Sequence, residues 1–301
     1  MKSNALIGII IGLAAIFGAF LLEGGAFEAL FLVPPLLIVF GGTFAAGLAG
    51  SSLKAFKNIP RVLRVAFGKN DHNVKEIINQ IVIFSIKTRR EGILTLENEM
   101  RRAKHPYLKR MMQISIDGAS SDTLRDIIEL EMQHIAERHN ENAALFTKMG
   151  GYAPTMGIIG TVMGLISTLA SAGSDPNVLI HHIASAFIAT LWGILSANII
   201  WLPLADRLKT LHRAEMSLIS MMLTGVEGIL IGETPSVVKA RLASVFPLRE
   251  QEKLMGEKKQ KQQEEPAASV AAVVLNASEV TTPVKGKEIS TSKPQNGPNK
   301  S

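Results

Sequence analysis

Two threonines and two prolines are the residues best placed to do chemistry in the long uncharged stretches of this sequence. Thr161 and Thr190 lie midway along two such stretches, where a hydroxyl group can exchange hydrogen bonds. A lone helical threonine usually bonds its own backbone, so the two carry more weight as a pair than singly. Pro154 and Pro203 remove helical hydrogen bonds near one end of each stretch. They predict kinks or hinges, and prolines that merely mark helix boundaries are equally consistent.

Carboxylates, the usual ion carriers inside membrane segments, are absent from these uncharged stretches. If the protein moves ions, a partner must therefore supply the acidic group. His181 and His182 lie near the start of the last stretch, where water can reach them, and a role as interfacial polar residues is favoured over a proton relay. The absence of cysteine excludes disulfides, zinc–thiolate sites and thiol nucleophiles. No metal site and no catalytic residue is predicted.

Four segments contain no Asp, Glu, Lys or Arg, and each is long enough to cross a hydrocarbon core as a helix. They are residues 3–22, 29–52, 149–174 and 176–205. Buried core helices of a large soluble protein are the alternative, but such helices rarely lack every charge over this length. The sequence therefore predicts an all-α integral membrane protein with four transmembrane helices.

Charge placement predicts the topology of these spans. All 32 Lys and Arg residues lie at Lys2, in the middle segment 53–148 or after residue 205, and the two short connections between spans carry none. By the positive-inside rule, both termini and the middle segment are cytoplasmic. The net charge of +6 thus reflects topology, and nucleic-acid binding is disfavoured. A cleaved signal peptide is the other interpretation of the first span, although its apolar run is long for one.

Five regions follow from this pattern: residues 1–52 with spans 1 and 2, 53–148 as a cytoplasmic helical domain, 149–205 with spans 3 and 4, 206–249 as a cytoplasmic helical extension, and 250–301 as a disordered tail. In the middle segment, basic and apolar residues interleave over 54–69 as in a helix at the membrane interface, or in an ordinary soluble helix.

Helices are also predicted over residues 74–90, 93–103 and 107–117, the first ended by Gly92. Another helix, capped by Ser121 or Asp122, should continue into span 3 without a break, because no turn signal separates them. Span 4 should extend similarly through Met222. Small residues recur along spans 3 and 4, which permits close contact between the two helices.

The stretch 151–208 resembles the paired third and fourth membrane helices of the MotA family of flagellar stator proteins. The APxxGxxGTVxGL opening, the short DP loop, the AxxATLxGxLxAN middle and the LPLADRL exit occur in the family's order and spacing. Four spans with a long cytoplasmic segment between the second and third also resemble this family, over about residues 1–230. The related ExbB and TolQ proteins have three spans, so the layout argues against them.

The resemblance implies a stator subunit rather than an enzyme, since no bond is made or broken. It implies a homo-oligomeric, pentameric ring in the lipid bilayer of the bacterial inner membrane, around a MotB-like subunit whose aspartate binds the ion. It also implies that the cytoplasmic domain pushes on FliG of the rotor. No cofactor is expected, and the transported ion is H⁺ or Na⁺.

Individual residues match the family's functional positions. Pro154 and Pro203 match its two coupling prolines, and Thr161 and Thr190 match hydroxyls near its ion path. Ala189 stands where sodium-driven relatives often have threonine, which favours protons over sodium.

Through the pattern RxxGxxxLE, Arg89 and Glu97 match the family's charged residues of rotor contact, and Arg90 flanks them. An ordinary solvated charged face is the alternative. The rival functions are an ExbB- or TolQ-like energiser of an envelope process, and a membrane scaffold or transporter without ion coupling.

Overall fold

The computed structural model describes residues 4–68, 73–171, 173 and 175–252, and these are helical with no β-strand among them. The chain forms two compact units, Met1–Val245 and Phe246–Ser301. Most of the second unit lies outside the described residues. The tail predicted to be disordered over 250–301 is helical at residues 250–252, and the rest of it also lies outside the described residues.

Two apolar helices open the chain. Helix α1 spans Asn4–Leu22, and α2 spans Val33–Ala49 after a 3₁₀ turn at Phe27–Leu30. Within α2, Leu37–Gly41 has π-helical hydrogen bonding. Such single-turn π segments inside a longer helix accommodate one extra residue per turn and often occur at functional sites.

The predicted interfacial helix is present as two short helices, α3 at Leu53–Lys57 and α4 at Ile59–Phe67. The break falls at Asn58, just before Pro60, which lacks a backbone N–H and is favoured in a first helical turn. Ser52 caps α3 by accepting a hydrogen bond from the Ala55 backbone N–H at 3.1 Å.

The middle segment forms the predicted helices with one correction. Helix α5 spans Val74–Glu91 and ends at Gly92, whose φ of +84° is accessible to glycine at little cost. The helix expected over residues 93–103 is wrong in length. It is a 3₁₀ turn at Ile93–Leu96 followed by the single turn α6 at Glu97–Met100, after which α7 spans Pro106–Ile116.

The longest helix, α8, runs without interruption over the 50 residues Ser121–Ala170. The predicted fusion of a cytoplasmic helix with an apolar one is therefore confirmed. The cap is Ser120 rather than Ser121 or Asp122, since the Ser120 side chain accepts a hydrogen bond from the Thr123 backbone N–H. A hydroxyl one residue earlier reaches the first free backbone N–H groups of this helix.

The last apolar segment also extends into a polar one. Helix α9 spans Pro176–Leu230, capped by Asp175, and includes a second π-helical segment at Ala197–Trp201. It passes the predicted end at Met222 by two turns. After it, α10 spans Pro235–Ala243.

Only α8 and α9, among the described helices, are both long and apolar enough to cross a membrane by length and composition. Leu6–Leu22 and Val33–Ala49 are apolar but shorter. Of the four predicted spans, two are therefore long and apolar enough by this test. Helix α1 covers nearly all of its uncharged stretch with 19 residues, whereas α2 begins at Val33, four residues after the start of its stretch.

Two groups of buried side chains hold the helices together. One lies where α3 and α4 pack on α8 and α9, and includes Phe146, Met149 and Trp201. The other joins α5, α7, α8, α9 and α10 in the middle segment, and its fully or nearly fully buried members include Ile78, Ile81, Leu108, Met111, Leu124, Ile128, Ile219 and Met222. These groups place the charged turn after α5 and the α8–α9 contact at opposite ends of one helical scaffold.

Candidate functional site

Helices α8 and α9 approach so closely that their facing glycines leave no room for a side chain. A Cβ atom on Gly157 would lie 2.9 Å from the backbone oxygen of Ala189 and 3.3 Å from Gly193 Cα. A Cβ on Gly193 would lie 2.8 Å from the backbone oxygen of Ala153. Backbone atoms cannot yield as a flexible side chain can, so this contact requires glycine on both helices. The predicted small-residue contact is confirmed.

The close approach brings Thr161 and Thr190 together, so that their hydroxyls are hydrogen-bonded across the two helices. Thr161 Oγ1 also lies 3.1 Å from the carbonyl oxygens of Gly157 and Ala186. Each hydroxyl has a single proton, so Thr161 can donate to only one of these oxygens at a time. The result is a small group of hydroxyl and carbonyl oxygens at the centre of the helix pair, both threonines being half-buried.

This oxygen cluster contains no titratable side chain. It can accept a hydrogen bond from, or contribute oxygen to, an ion held by another group, but it cannot itself take up a proton near neutral pH. Ala189, also on α9, is buried and places its methyl group against Gly160. A larger side chain at position 189 would have to displace α8.

Pro154 and Pro203 occupy corresponding places in the two helices, on the side that leads to the charged middle segment. Pro154 lies inside α8, which is helical on both sides of it. Pro203 lies two residues after the end of the π-helical segment Ala197–Trp201 of α9. A proline without an N–H weakens the hydrogen-bond ladder one turn earlier, which is where the π segment lies.

An indole that sequence reasoning missed fixes α2 against α9. Trp192 Nε1 donates a hydrogen bond to the carbonyl oxygen of Leu30 at 2.7 Å, and its ring packs against Phe17, Phe31 and Phe40. A carbonyl left free by the 3₁₀ turn is thereby satisfied inside an apolar region. No signal in the sequence paired residue 192 with residue 30.

Arg89, Arg90 and Glu97 lie together at the exposed turn between α5 and α6. The arginines are in the last turn of α5, and Glu97 begins α6 after the positive-φ residue Gly92. Among the described residues, no ion pair joins Glu97 to either arginine. An ion pair between Lys87 and Glu99 instead ties the two helices together, which leaves the outer charges available to a partner.

Leu94 is a further exposed residue of this turn that the sequence did not single out. Its side chain is 70% exposed between the charges, whereas Leu96 in the same 3₁₀ turn is fully buried. An exposed leucine among charges suits a contact surface in which a small apolar centre is surrounded by polar residues.

Sequence reasoning also missed a histidine pair between the polar halves of α8 and α9. His139 of α8 and His212 of α9 have their Nδ1 atoms 3.3 Å apart, and Glu215 lies 3.7 Å from His139 Nδ1. Burial lowers the pKa of His139, an effect that Glu215 opposes. Burial raises the pKa of Tyr107, and the Glu215 carboxylate adds to that rise. The pair is 73 residues apart in sequence, so only the packing of α8 on α9 reveals it.

Two family models match the chain in succession. Residues 6–92 match the Motility protein A N-terminal model, and residues 99–221 match the MotA/TolQ/ExbB proton channel family. Motility protein A of Bacillus subtilis strain 168 is 34% identical over 270 residues, which cover 87% of this chain and 100% of the relative. This chain belongs to the MotA/TolQ/ExbB proton channel family.

Solved structures agree with this family assignment. The flagellar MotAB stator complex of Bacillus subtilis aligns with a TM-score of 0.77 at 35% identity, over 82% of this chain and 97% of that one. The MotAB structure of C. jejuni aligns with a TM-score of 0.78 at 27% identity, with the same coverage. The chain thus shares the fold of these MotAB stator structures over nearly the whole length of their aligned chains.

Proposed function

We infer that this chain is a flagellar motor stator subunit, which couples ion flow across the inner membrane to torque on the rotor. The observation that supports this most directly is the interhelical threonine cluster on α8 and α9, held by glycine contacts that admit no side chain. A relative named Motility protein A, which aligns over its whole length, supports the same function. A stator complex of the same fold supports it too.

All four apolar helices cross the membrane in this proposal. Helices of 19 residues, Asn4–Leu22, and 17 residues, Val33–Ala49, rise about 28 and 25 Å at 1.5 Å per residue, near the lower limit for a span. The sorting of all Lys and Arg residues away from the short connections supports cytoplasmic termini.

In this proposal the chain works as a ring of five identical subunits around a MotB-like partner. Because the uncharged segments lack a carboxylate, the partner brings the ion-binding aspartate into contact with the Thr161–Thr190 cluster. Ion binding at the aspartate changes the contact with the cluster, and Pro154 and Pro203 transmit that change toward the middle segment. The exposed turn with Arg89, Arg90 and Glu97 contacts the FliG protein of the rotor. No bond is made or broken, so the chain acts without enzymatic activity.

Protons are proposed as the driving ion, because Ala189 stands where sodium-driven relatives often have threonine, and its methyl group packs against Gly160. The test is the swimming speed of a strain that lacks this gene and any second stator set, complemented with the gene. Speed that follows the proton gradient and persists without sodium supports a proton-driven stator. Speed that follows sodium would overturn the ion, and unimpaired motility in the deletion strain would favour the ExbB- or TolQ-like function.

The coupling prolines have a direct test. Pro154→Leu and Pro203→Leu should each abolish motility while leaving the amount of protein in the membrane unchanged, since leucine restores the helical hydrogen bonds without adding charge. Pro60→Leu at the start of α4 is the matched control and should still swim. Normal swimming of either proline variant would remove that residue from the coupling path.

A further inference from the structure

One surface of the protein exposes large apolar side chains beside basic ones, and such apolar exposure is unfavourable in water. Helices α3 and α4, residues 53–67, carry no Asp or Glu. Leu53 is 67% exposed, Val65 46% and Phe67 39%. The exposed basic residues among them are Lys54, Lys57, Arg61 and Arg64. We call residues 53–67 the basic interfacial surface.

The inner side of this surface is firmly packed, so its outer side has a fixed direction. Ala55, Val62 and Ala66 are buried in the cluster that includes Phe146 of α8 and Trp201 of α9. The Arg207 side chain also donates a hydrogen bond to the Ala66 carbonyl oxygen at 3.5 Å. The exposed residues on the opposite side therefore point away from α8 and α9.

The surface lies at the level where the apolar helices become charged. Lys148 is the last charged residue before the apolar half of α8, and Asp206 and Arg207 are the first after that of α9. Buried residues of the same cluster lie on both sides of Lys148, and on α9 they reach Ala205, directly before Asp206, with Leu208 packed against them. In addition, α3 begins only four residues after α2 ends. Helices α3 and α4 are thus held at the boundary between hydrocarbon and cytoplasm.

We propose that the basic interfacial surface binds the anionic phospholipid headgroups of the cytoplasmic leaflet, and that Leu53, Val65 and Phe67 reach into the region below them. This inference depends on the membrane placement in the proposed function. Anionic lipid supplies the two things that the surface lacks, negative charge opposite its basic residues and an apolar phase for its exposed side chains. Long lysine and arginine side chains keep their charges at headgroup level while their stems cover apolar surface.

The chain has no cysteine, so a single introduced cysteine can carry one spin label. The full-length chain would be labelled at Val65→Cys and reconstituted in vesicles of phosphatidylcholine, with or without phosphatidylglycerol. Collision with oxygen and with a water-soluble nickel chelate then reports the depth of the label. Val237→Cys on α10 is the matched control, because Val237 and Val65 are 45% and 46% exposed.

The label at residue 65 should lie within the bilayer boundary, about 5–10 Å below the headgroups as for other interfacial helices, and deeper when phosphatidylglycerol is present. The label at residue 237 should stay in water in both vesicles. A label on Ile166→Cys, a 60% exposed residue of the apolar half of α8, tests membrane insertion itself. If residue 166 is in hydrocarbon and residue 65 is in water, the lipid proposal fails alone. If both are in water, the proposed membrane placement fails too.

Charge is tested separately with a combined variant, Lys54→Gln, Lys57→Gln, Arg61→Gln and Arg64→Gln. Retention of phosphatidylglycerol over phosphatidylcholine, counted by native mass spectrometry of the full chain, should fall by up to about fivefold for each basic residue removed. The control variant replaces four exposed basic residues of the middle segment by glutamine: Lys75, Arg101, Arg102 and Lys109. Equal loss in both variants would overturn specific binding at α3 and α4. Unchanged retention in both would show that another protein, or a second copy of the chain, covers this surface.

Discussion

The apolar halves of α8 and α9 and the middle segment are held together by different means, although the same two helices run through both. In the apolar halves, backbones touch through Gly157 and Gly193, and a hydroxyl pair is the main polar contact. Outside the apolar halves, large side chains such as Met111 of the middle segment and Met222 of α9 fill the space between helices. Where lipid surrounds a helix pair, burial of apolar surface gives little driving force, so close packing must supply it.

Ion pairs occur in the middle segment, where water can reach one partner. Arg125 of α8 holds the buried carboxylate of Glu227 of α9 with two hydrogen bonds, at 2.7 and 3.0 Å. The hydrogen bond to the Glu227 carboxylate raises the pKa of Arg125. The apolar halves thus tolerate almost no change in size, whereas the middle segment tolerates size changes better than loss of a charge partner. The following predictions test that difference.

The largest effect is expected from Gly157→Val. The new side chain would meet the Ala189 carbonyl oxygen and force α8 from α9, at a cost of at least about 1–3 kcal/mol, and motility should be lost. Gly151→Val on the same helix is the control, because nothing lies within 4 Å of a Cβ at Gly151. Thermal unfolding of the purified proteins and swimming assays would measure both. Similar melting temperatures for the two variants would contradict a size-limited contact.

A smaller effect is expected from removing the hydroxyl pair. Thr161→Val and Thr190→Val keep the side-chain shape but lose the interhelical hydrogen bond, which in membranes is worth about 0.6 kcal/mol on average. The protein should remain in the membrane while swimming speed falls sharply. Thr161→Ser and Thr190→Ser keep the hydroxyl and should retain most of the speed. If the valine variants swim normally, the cluster does not lie on the ion path.

In the middle segment, a pH dependence is expected from His139. Because its pKa in the folded protein is lowered from 6.5, the unfolded chain binds more protons at pH values between the two. Stability from this residue is complete above about pH 6.5 and is lost as the pH falls through that value toward the lowered pKa. Unfolding temperatures at neutral and mildly acidic pH should differ less in His139→Gln than in the natural chain.

The control for this measurement is His134→Gln, an exposed histidine on the same helix. That variant should keep the pH dependence of the natural chain. A His139→Gln variant whose unfolding temperature still falls with pH by the original amount would show that other groups are responsible.

The smallest single effects are expected at the exposed turn. Arg89→Glu or Glu97→Lys alone should slow swimming only slightly, since each exposed ion pair with the rotor would be worth about 0–1 kcal/mol. The double variant should be slower than either, and the loss should depend on ionic strength in a motor assay. Arg101→Glu, a nearby exposed charge reversal, is the control. An unaffected double variant would remove the pair from the rotor contact.

Much of the fold followed from local pattern. The charged half of Ser121–Ala170 has neither glycine nor proline up to Lys148, which favoured one long helix, and the helix continues through Gly150, Gly151 and Pro154 at the junction with the apolar half. The end of α5 at Gly92 was predictable for the converse reason. Errors occurred where the chain adopts 3₁₀ geometry, as at Ile93–Leu96, since these short turns depend on what the following helix packs against.

The candidate site was only partly within reach of the sequence. Thr161 and Thr190 could be singled out, because few polar groups occur in uncharged segments, and their shared depth could be expected from helix lengths. Their hydrogen bond could not, since it depends on how α8 and α9 are rotated about their axes. The roles of Pro154, Pro203, Arg89, Arg90 and Glu97 remain predictions.

By itself, the sequence determined composition-dependent properties: which segments lack charge, where the Lys and Arg residues cluster, and that no carboxylate or thiol lies in the four uncharged segments. Only the tertiary structure brought Trp192 to Leu30, His139 to His212, and Arg125 to Glu227. Helix periodicity fixes which residues share a face, because that depends on neighbours three and four positions away. Which face meets which is decided by the best packing among distant segments, and no local pattern encodes it.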